Sequence, residues 1–83
     1  MYSLQFSKEA EDSLRKLDKS IQKRVVKKIL LLQENPRLGG QLTANLLGLW
    51  KLRVGDYRVI YSIKDKELRV LIIKIGHRKN IYD

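Results

Sequence analysis

An α+β domain of order β-α-α-β-β-β, with a helical hairpin packed on a mainly antiparallel four-stranded sheet, is the fold class this chain predicts. Three observations predict it. After a short alternating stretch, two segments of the first half carry apolar residues at helical spacing; three segments of the second half alternate apolar and polar residues; and Pro36, Gly39, Gly40 and Gly48 interrupt the region between them.

Tyr2, Leu4 and Phe6 alternate with Ser3, Gln5 and Ser7, the pattern of a half-buried strand. Ser7 is a suitable N-cap, with Glu9 and Glu11 following in the positively polarised first turn of a helix. Ala10, Leu14 and Leu17 form its apolar stripe, and Asp18 or Ser20 restarts the chain. From Ser20 to Gln33, Ile21, Val25, Ile29 and Leu32 trace one helical face, while Lys19, Lys23, Arg24, Lys27 and Lys28 occupy the other. Asn35-Pro36 ends this helix, because a residue before proline resists the α conformation. Residues 36 to 49 read as a loop with one helical turn near Leu42 to Leu46; Gly39-Gly40 lacks the context of a phosphate loop and serves as turn punctuation.

Trp50 to Val54 and Tyr57 to Tyr61 are period-two segments joined by Gly55-Asp56, a tight-hairpin signal. With those two residues as the loop, Val54 pairs with Tyr57, Arg53 with Arg58 and Lys51 with Ile60, so Lys51, Arg53 and Arg58 share a face. A second two-residue turn at Asp65-Lys66 would pair Ile63 with Leu68, Tyr61 with Val70 and Val59 with Ile72. The opposite, apolar face then includes Trp50, Leu52 and Tyr61, which are assigned to the core. The basic face also holds Ile60, Leu71, Ile73 and Ile75 and is too apolar to lie open, so the chain's own loop and terminal residues or a partner should cover part of it. Periodicity does not decide which face the helices cover.

The 83 residues make one domain and contain no cysteine, which excludes disulfides and thiolate metal sites. The N-terminus has no signal-peptide pattern and no apolar run is long enough to span a bilayer, so the expected location is the cytoplasm, away from membranes. The net charge of +9 suits a nucleic acid, a ribosome or an acidic partner. Residues 37 to 83 carry +6 of it, and their acidic groups Asp56, Asp65, Glu67 and Asp83 fall in turns or at the terminus, leaving the strands cationic.

Arginines directly opposite each other repel, and an anion between Arg53 and Arg58 relieves that repulsion. Together with Lys51, Arg78 and Tyr82 they form a set able to grip and cleave a phosphodiester without a metal. A single histidine, no cysteine and scattered carboxylates offer neither a metal-ligand cluster nor a paired-carboxylate mechanism, and no cofactor is expected.

The element order, the run Gly48 to Tyr61 and the ending Ile75-Gly76-His77-Arg78-Lys79 with Tyr82 resemble the RelE toxins of prokaryotic toxin-antitoxin pairs, over essentially the whole of residues 1 to 83. The resemblance implies an endoribonuclease that enters the ribosomal A site and cleaves messenger RNA by attack of a 2′-hydroxyl on the adjacent phosphate. It also implies a RelB-type antitoxin as partner, with operator DNA as a target of the toxin-antitoxin complex. The positions matching the family's catalytic residues are Lys51, Arg53, Arg58, Arg78 and Tyr82. Arg53 departs from the lysine of the best-known members; arginine keeps its proton, so base duty falls to Lys51. Arg53 and Arg58 would hold the phosphate, Arg78 would serve the leaving oxygen as charge stabiliser or proton donor, and Tyr82 or Tyr57 could stack on a base. His77 is either a further acid or base, or a polar surface residue. Two other functions remain open on sequence: a ParE-like toxin directed at gyrase, against which the ribonuclease residues argue, and a catalytically silent basic module that only docks an acidic partner.

Overall fold

A computed structural model describes residues 1 to 42 and 48 to 79. In it the chain forms β1 (Ser3–Phe6), α1 (Lys8–Arg15), α2 (Lys19–Leu30), β2 (Gly40–Gln41), β3 (Trp50–Val54), β4 (Tyr57–Lys64) and β5 (Arg69–His77), with short 3-10 turns at Leu31–Gln33, Pro36–Leu38 and Asp65–Glu67. The sheet has five strands in the order β1-β5-β4-β3-β2. All neighbours are antiparallel except β1 and β5, which run parallel. The α+β class stands; the strand beyond the expected four is β2, a two-residue ladder against Trp50 and Lys51 within the region expected to be loop. The helical turn expected near Leu42 to Leu46 lies, apart from Leu42, outside the described residues.

Ser7 caps α1 as its sequence position suggests, its Oγ accepting from the Ala10 N–H at 3.0 Å. The same hydroxyl donates to the Ile73 carbonyl at 2.7 Å, joining the helix start to the far strand. Helix α2 begins after Asp18 and ends at Leu30, tightening into the 3-10 turn that buries Leu32. Ala10, Val25, Ile29 and Leu32 pack on Leu52, Val54, Val59, Tyr61, Val70 and Ile72, so both helices cover the sheet face opposite Lys51 and Arg53.

The first hairpin has the expected register, with Val54 opposite Tyr57, Arg53 opposite Arg58 and Lys51 opposite Ile60. Gly55 stands at φ 60° in the first loop position, a conformation glycine adopts without a Cβ clash. The second hairpin corrects the expectation: Ile63 pairs with Val70 and Tyr61 with Ile72, two residues beyond the proposed partners. Asp65–Glu67 form a 3-10 turn and Leu68 takes the left-handed conformation at φ 51°, so the connection uses four residues instead of two. A shift of two preserves the face of every side chain.

A bulge then changes the face. Ile60 pairs with Lys74 while Tyr61 pairs with Ile72, leaving Ile73 as the extra residue on β5. Ile75 therefore lies opposite Val59 in the helix-side core, and not on the basic face where unbroken alternation put it. On the basic face the chain's own loop covers Ile60: Leu42 and Leu49 pack against it, and the Leu42 N–H donates to the Leu49 carbonyl at 2.9 Å.

Candidate active site on the cationic sheet face

Strands β3 and β4 project Lys51, Arg53 and Arg58 from the same face because their positions share the parity of the ladder. Their surroundings differ. Arg53 is exposed and Lys51 half-buried, whereas Arg58 retains 7 % of its accessible surface. Opposite Arg58 on β5 is Gly76, which carries no side chain.

Two residues past Gly76, the Arg78 N–H donates to the Asp56 carbonyl at 2.9 Å, tying the end of β5 to the first hairpin turn. The backbone of Arg78 is thus fixed beside the turn that separates Arg53 from Arg58, with its side chain exposed. Four of the expected site residues therefore gather around one hairpin. Tyr82 lies outside the described residues.

His77 and Tyr57 are placed differently. They pair directly, with ring centroids 5.3 Å apart in an edge-to-face contact, and share the helix-side face with Val54. His77 Nδ1 accepts from the Lys79 N–H at 3.2 Å. Both rings line a cavity of about 390 Å³ with Ser13, Lys16 and Lys74, across the sheet from Lys51 and Arg58.

Ion pairs occupy some of the cations and not others. Lys8 and Arg15 pair with Asp12, Arg37 with Asp65 at 2.7 Å, Arg69 with Glu67, and Lys74 with Glu9 at 3.9 Å. Among the described residues, no carboxylate is paired with Lys51, Arg53 or Arg78. Lys51, Arg53 and Arg78 therefore carry positive charge with no carboxylate partner among the described residues, an arrangement suited to an anion such as a phosphate. No group of three His, Asp or Glu side chains converges among the described residues.

A supporting layer beneath Lys51 escaped the sequence reading. Tyr61 is fully buried, donates from its hydroxyl to the Pro36 carbonyl at 2.7 Å and accepts from the Gly39 N–H at 3.1 Å. Burial raises its pKa above the ordinary tyrosine value. A Cβ on Gly39 would stand 2.2 Å from the Lys51 carbonyl oxygen and 2.8 Å from the Tyr61 hydroxyl, so the glycine permits the approach of this turn to β3. Trp50 stacks on Tyr61 at 6.3 Å, and the Arg37 guanidinium lies 6.0 Å from the Trp50 ring centroid. Asp65, held by Arg37 and by a 2.6 Å hydrogen bond from the Tyr2 hydroxyl, closes the layer; these two bonds hold its carboxyl below the usual carboxylate range. The only sequence signal for this layer was Gly39 following Pro36 by three residues, which reads as an ordinary turn.

Residues 4 to 82 match the family model described as the ParE toxin of the type II toxin-antitoxin system. Toxin RelG of Mycobacterium tuberculosis is 35 % identical over 83 residues, covering 98 % of this chain and 95 % of that protein. A protein named mRNA interferase toxin RelE from Escherichia coli is 29 % identical over 80 residues, covering 94 % and 84 %. Among solved structures, the toxin-antitoxin complex RelBE2 of M. tuberculosis contains a chain that superposes with a TM-score of 0.86 at 34 % identity, covering 93 % of this chain and 91 % of that one.

Proposed function

Because the chain belongs to the RelE/ParE family of type II toxin-antitoxin toxins, we propose that it is an endoribonuclease that cleaves messenger RNA in the ribosomal A site in the cytoplasm, without a metal. The observation that carries this reading is the convergence of Lys51, Arg53 and Arg58 on one sheet face, with the backbone of Arg78 held at the same hairpin. A relative named mRNA interferase supports it.

In the proposed reaction the 2′-oxygen bonds to the adjacent phosphorus as the bond from phosphorus to the 5′-oxygen breaks, leaving a 2′,3′-cyclic phosphate and a 5′-hydroxyl. Lys51 accepts the 2′-hydroxyl proton, because the neighbouring guanidiniums keep theirs. Arg58, nearly removed from solvent, and Arg53, at the rim, neutralise the non-bridging oxygens as their charge grows. Arg78 stabilises charge on the departing 5′-oxygen, which then takes a proton from water. Tyr82 is assigned to stacking on a base that turns out of the strand. Since His77 and Tyr57 lie across the sheet, we give them no direct role in this step.

An antitoxin of the RelB type is the proposed inhibitor, as the RelBE2 complex suggests, and operator DNA the proposed target of the complex. The family model's ParE description supports a second reading, a toxin directed at gyrase. Mapping cuts on messages with and without translating ribosomes separates the two. Cuts confined to translated frames support the first; intact messages with damaged supercoiled DNA would replace it with the second.

A further inference from the structure

Beside the candidate site, the cationic surface continues onto α2. One groove of about 360 Å³ is lined by Arg24, Lys27, Lys28, Leu31, Arg53 and Gly55. A second, of about 280 Å³, is lined by Lys28, Gly39, Gly40, Lys51 and Arg53, with Leu38 at its margin. Lys28 and Arg53 belong to both, so the grooves join into one channel that runs from the β3–β4 turn to Lys51. Among the described residues no carboxylate lines either groove.

Two independent observations distinguish this channel from an ordinary solvated helix face. First, Lys19–Leu30 contains no acidic residue. Among the described residues Arg24, Lys27, Lys28, Lys51 and Arg53 take part in no ion pair, as is also true of Lys19, Lys23, Lys64 and Lys66, but these five alone among the unpaired cations line the two joined grooves. Like charges left together on a folded surface raise its energy unless an anion is bound. Second, Arg24 does not extend freely into solvent: its Nη2 lies 2.9 Å from where a Cβ on Gly55 would stand. Gly55 thus permits the hairpin turn and also the approach of the guanidinium to it.

We propose that Arg24, Lys27 and Lys28, continuing from Arg53, form a track for the phosphodiester backbone of a single RNA strand outside the scissile position. This rests on the reading of the chain as a ribonuclease and extends it from one phosphate to a run of several. Arg24, Lys27 and Lys28 stand at i, i+3 and i+4, one side of the helix, spanning about 6 Å of its axis. A polymer with one charge per unit matches such a row, and walls formed by the backbone of Gly39, Gly40 and Gly55 let it approach closely. The contacts are to phosphates and carry no base information, so the track sets affinity and register, leaving sequence preference elsewhere.

The test is equilibrium binding of the full chain to a non-cleavable, 2′-deoxy-substituted RNA of about 20 nucleotides and to one of about three, across a salt series. For the variant Arg24→Gln/Lys27→Gln/Lys28→Gln, affinity for the long strand falls by about tenfold or more, the loss exceeds that for the short strand, and the salt slope shrinks by about 2, the value for three single-strand phosphate contacts. A control, Lys19→Gln/Lys64→Gln/Lys66→Gln, removes equal charge from residues that line neither groove. Equal loss in the control makes the effect a general field and overturns the track. Parental binding by the α2 variant, or failure of the parent to bind the long strand, also overturns it. So does a loss confined to an acidic antitoxin, which would make the channel a protein-docking surface. Message cleavage is scored separately. A parent that cuts messages while the α2 variant binds normally leaves the ribonuclease reading intact without the track; a parent that binds with the expected slope but never cuts reverses that result.

Discussion

Arg53 and Arg58 stand directly opposite each other across β3 and β4, one open to solvent and the other 7 % exposed. The pair places a largely desolvated positive charge beside a solvent-exposed one. In the proposed reaction a phosphate would interact most strongly with the former, where water screens least.

Arg58 and Arg78 are therefore expected to contribute unequally to stability and similarly to rate. Arg78→Ala melts as the parent does and loses about 10²-fold or more of message cleavage, the typical effect of removing one charge-stabilising donor. Arg58→Ala loses comparable activity and also some stability, because a nearly buried side chain is truncated. Arg58→Lys separates the two effects by retaining charge without the planar fork. Cleavage and thermal melting of all three provide the check; full activity in folded Arg78→Ala and Arg58→Ala removes both from the mechanism.

Lys51→Arg keeps the charge and is expected to cleave far more slowly than the parent, since arginine binds phosphate but does not accept a proton. Lys51→Ala should be at least as impaired. Rates measured across pH decide: a Lys51→Arg profile that matches the parent makes Lys51 electrostatic only and moves the base to Tyr82.

Gly39→Ala should destabilise the fold by about 1–3 kcal/mol, the usual range for overpacking, because its Cβ collides with the Lys51 carbonyl and the Tyr61 hydroxyl. Activity of the remaining folded protein should fall too, since Lys51 must shift. Gly40→Ala meets nothing within 4 Å and serves as control. Denaturation curves with equal midpoints for both variants would contradict the close approach.

Tyr61→Phe removes one buried and one partly buried hydrogen bond and leaves the Pro36 carbonyl and Gly39 N–H without that partner, a loss of about 1–3 kcal/mol. Its pH dependence has a definite sign. The folded pKa lies above the unfolded value, so Tyr61 contributes fully below about pH 10 and that contribution fades as pH rises through the folded pKa. The parent should thus lose stability above about pH 10 more steeply than Tyr61→Phe. Parallel stability curves in that range would exclude the effect.

The proposed antitoxin should be acidic where it meets Lys51, Arg53 and Arg58 and should add apolar contacts, charge speeding association and apolar area slowing release. Hydrogen exchange in a tight complex should show increased protection at residues 51 to 60 or altered protection at residues 76 to 79. A complex that changes neither segment rules out inhibition at this face.

Local chemistry alone determined much of this molecule. Ser7 as an N-cap, the apolar stripes of both helices and the Gly55-Asp56 hairpin depend on neighbours in sequence, so the α+β class and the shared face of Lys51, Arg53 and Arg58 were legible without coordinates. The membership those residues suggested agrees with the family match. Tertiary structure decided the remainder. Asp65-Lys66 resembles a two-residue turn, yet core packing of Ile63, Tyr61 and Val70 selects a four-residue connection ending in left-handed Leu68. Alternation continues through Ile73 in sequence, but the bulge, pinned by Ser7 from 66 positions away, turns Ile75 and His77 to the helix side. Burial of Arg58 beside Gly76, and the Tyr61–Gly39 contact beneath Lys51, likewise join residues far apart in the chain. Periodicity records which face a residue takes relative to its neighbours; a bulge or a long-range hydrogen bond resets that face through the free energy of packing the whole sheet, which no local pattern encodes.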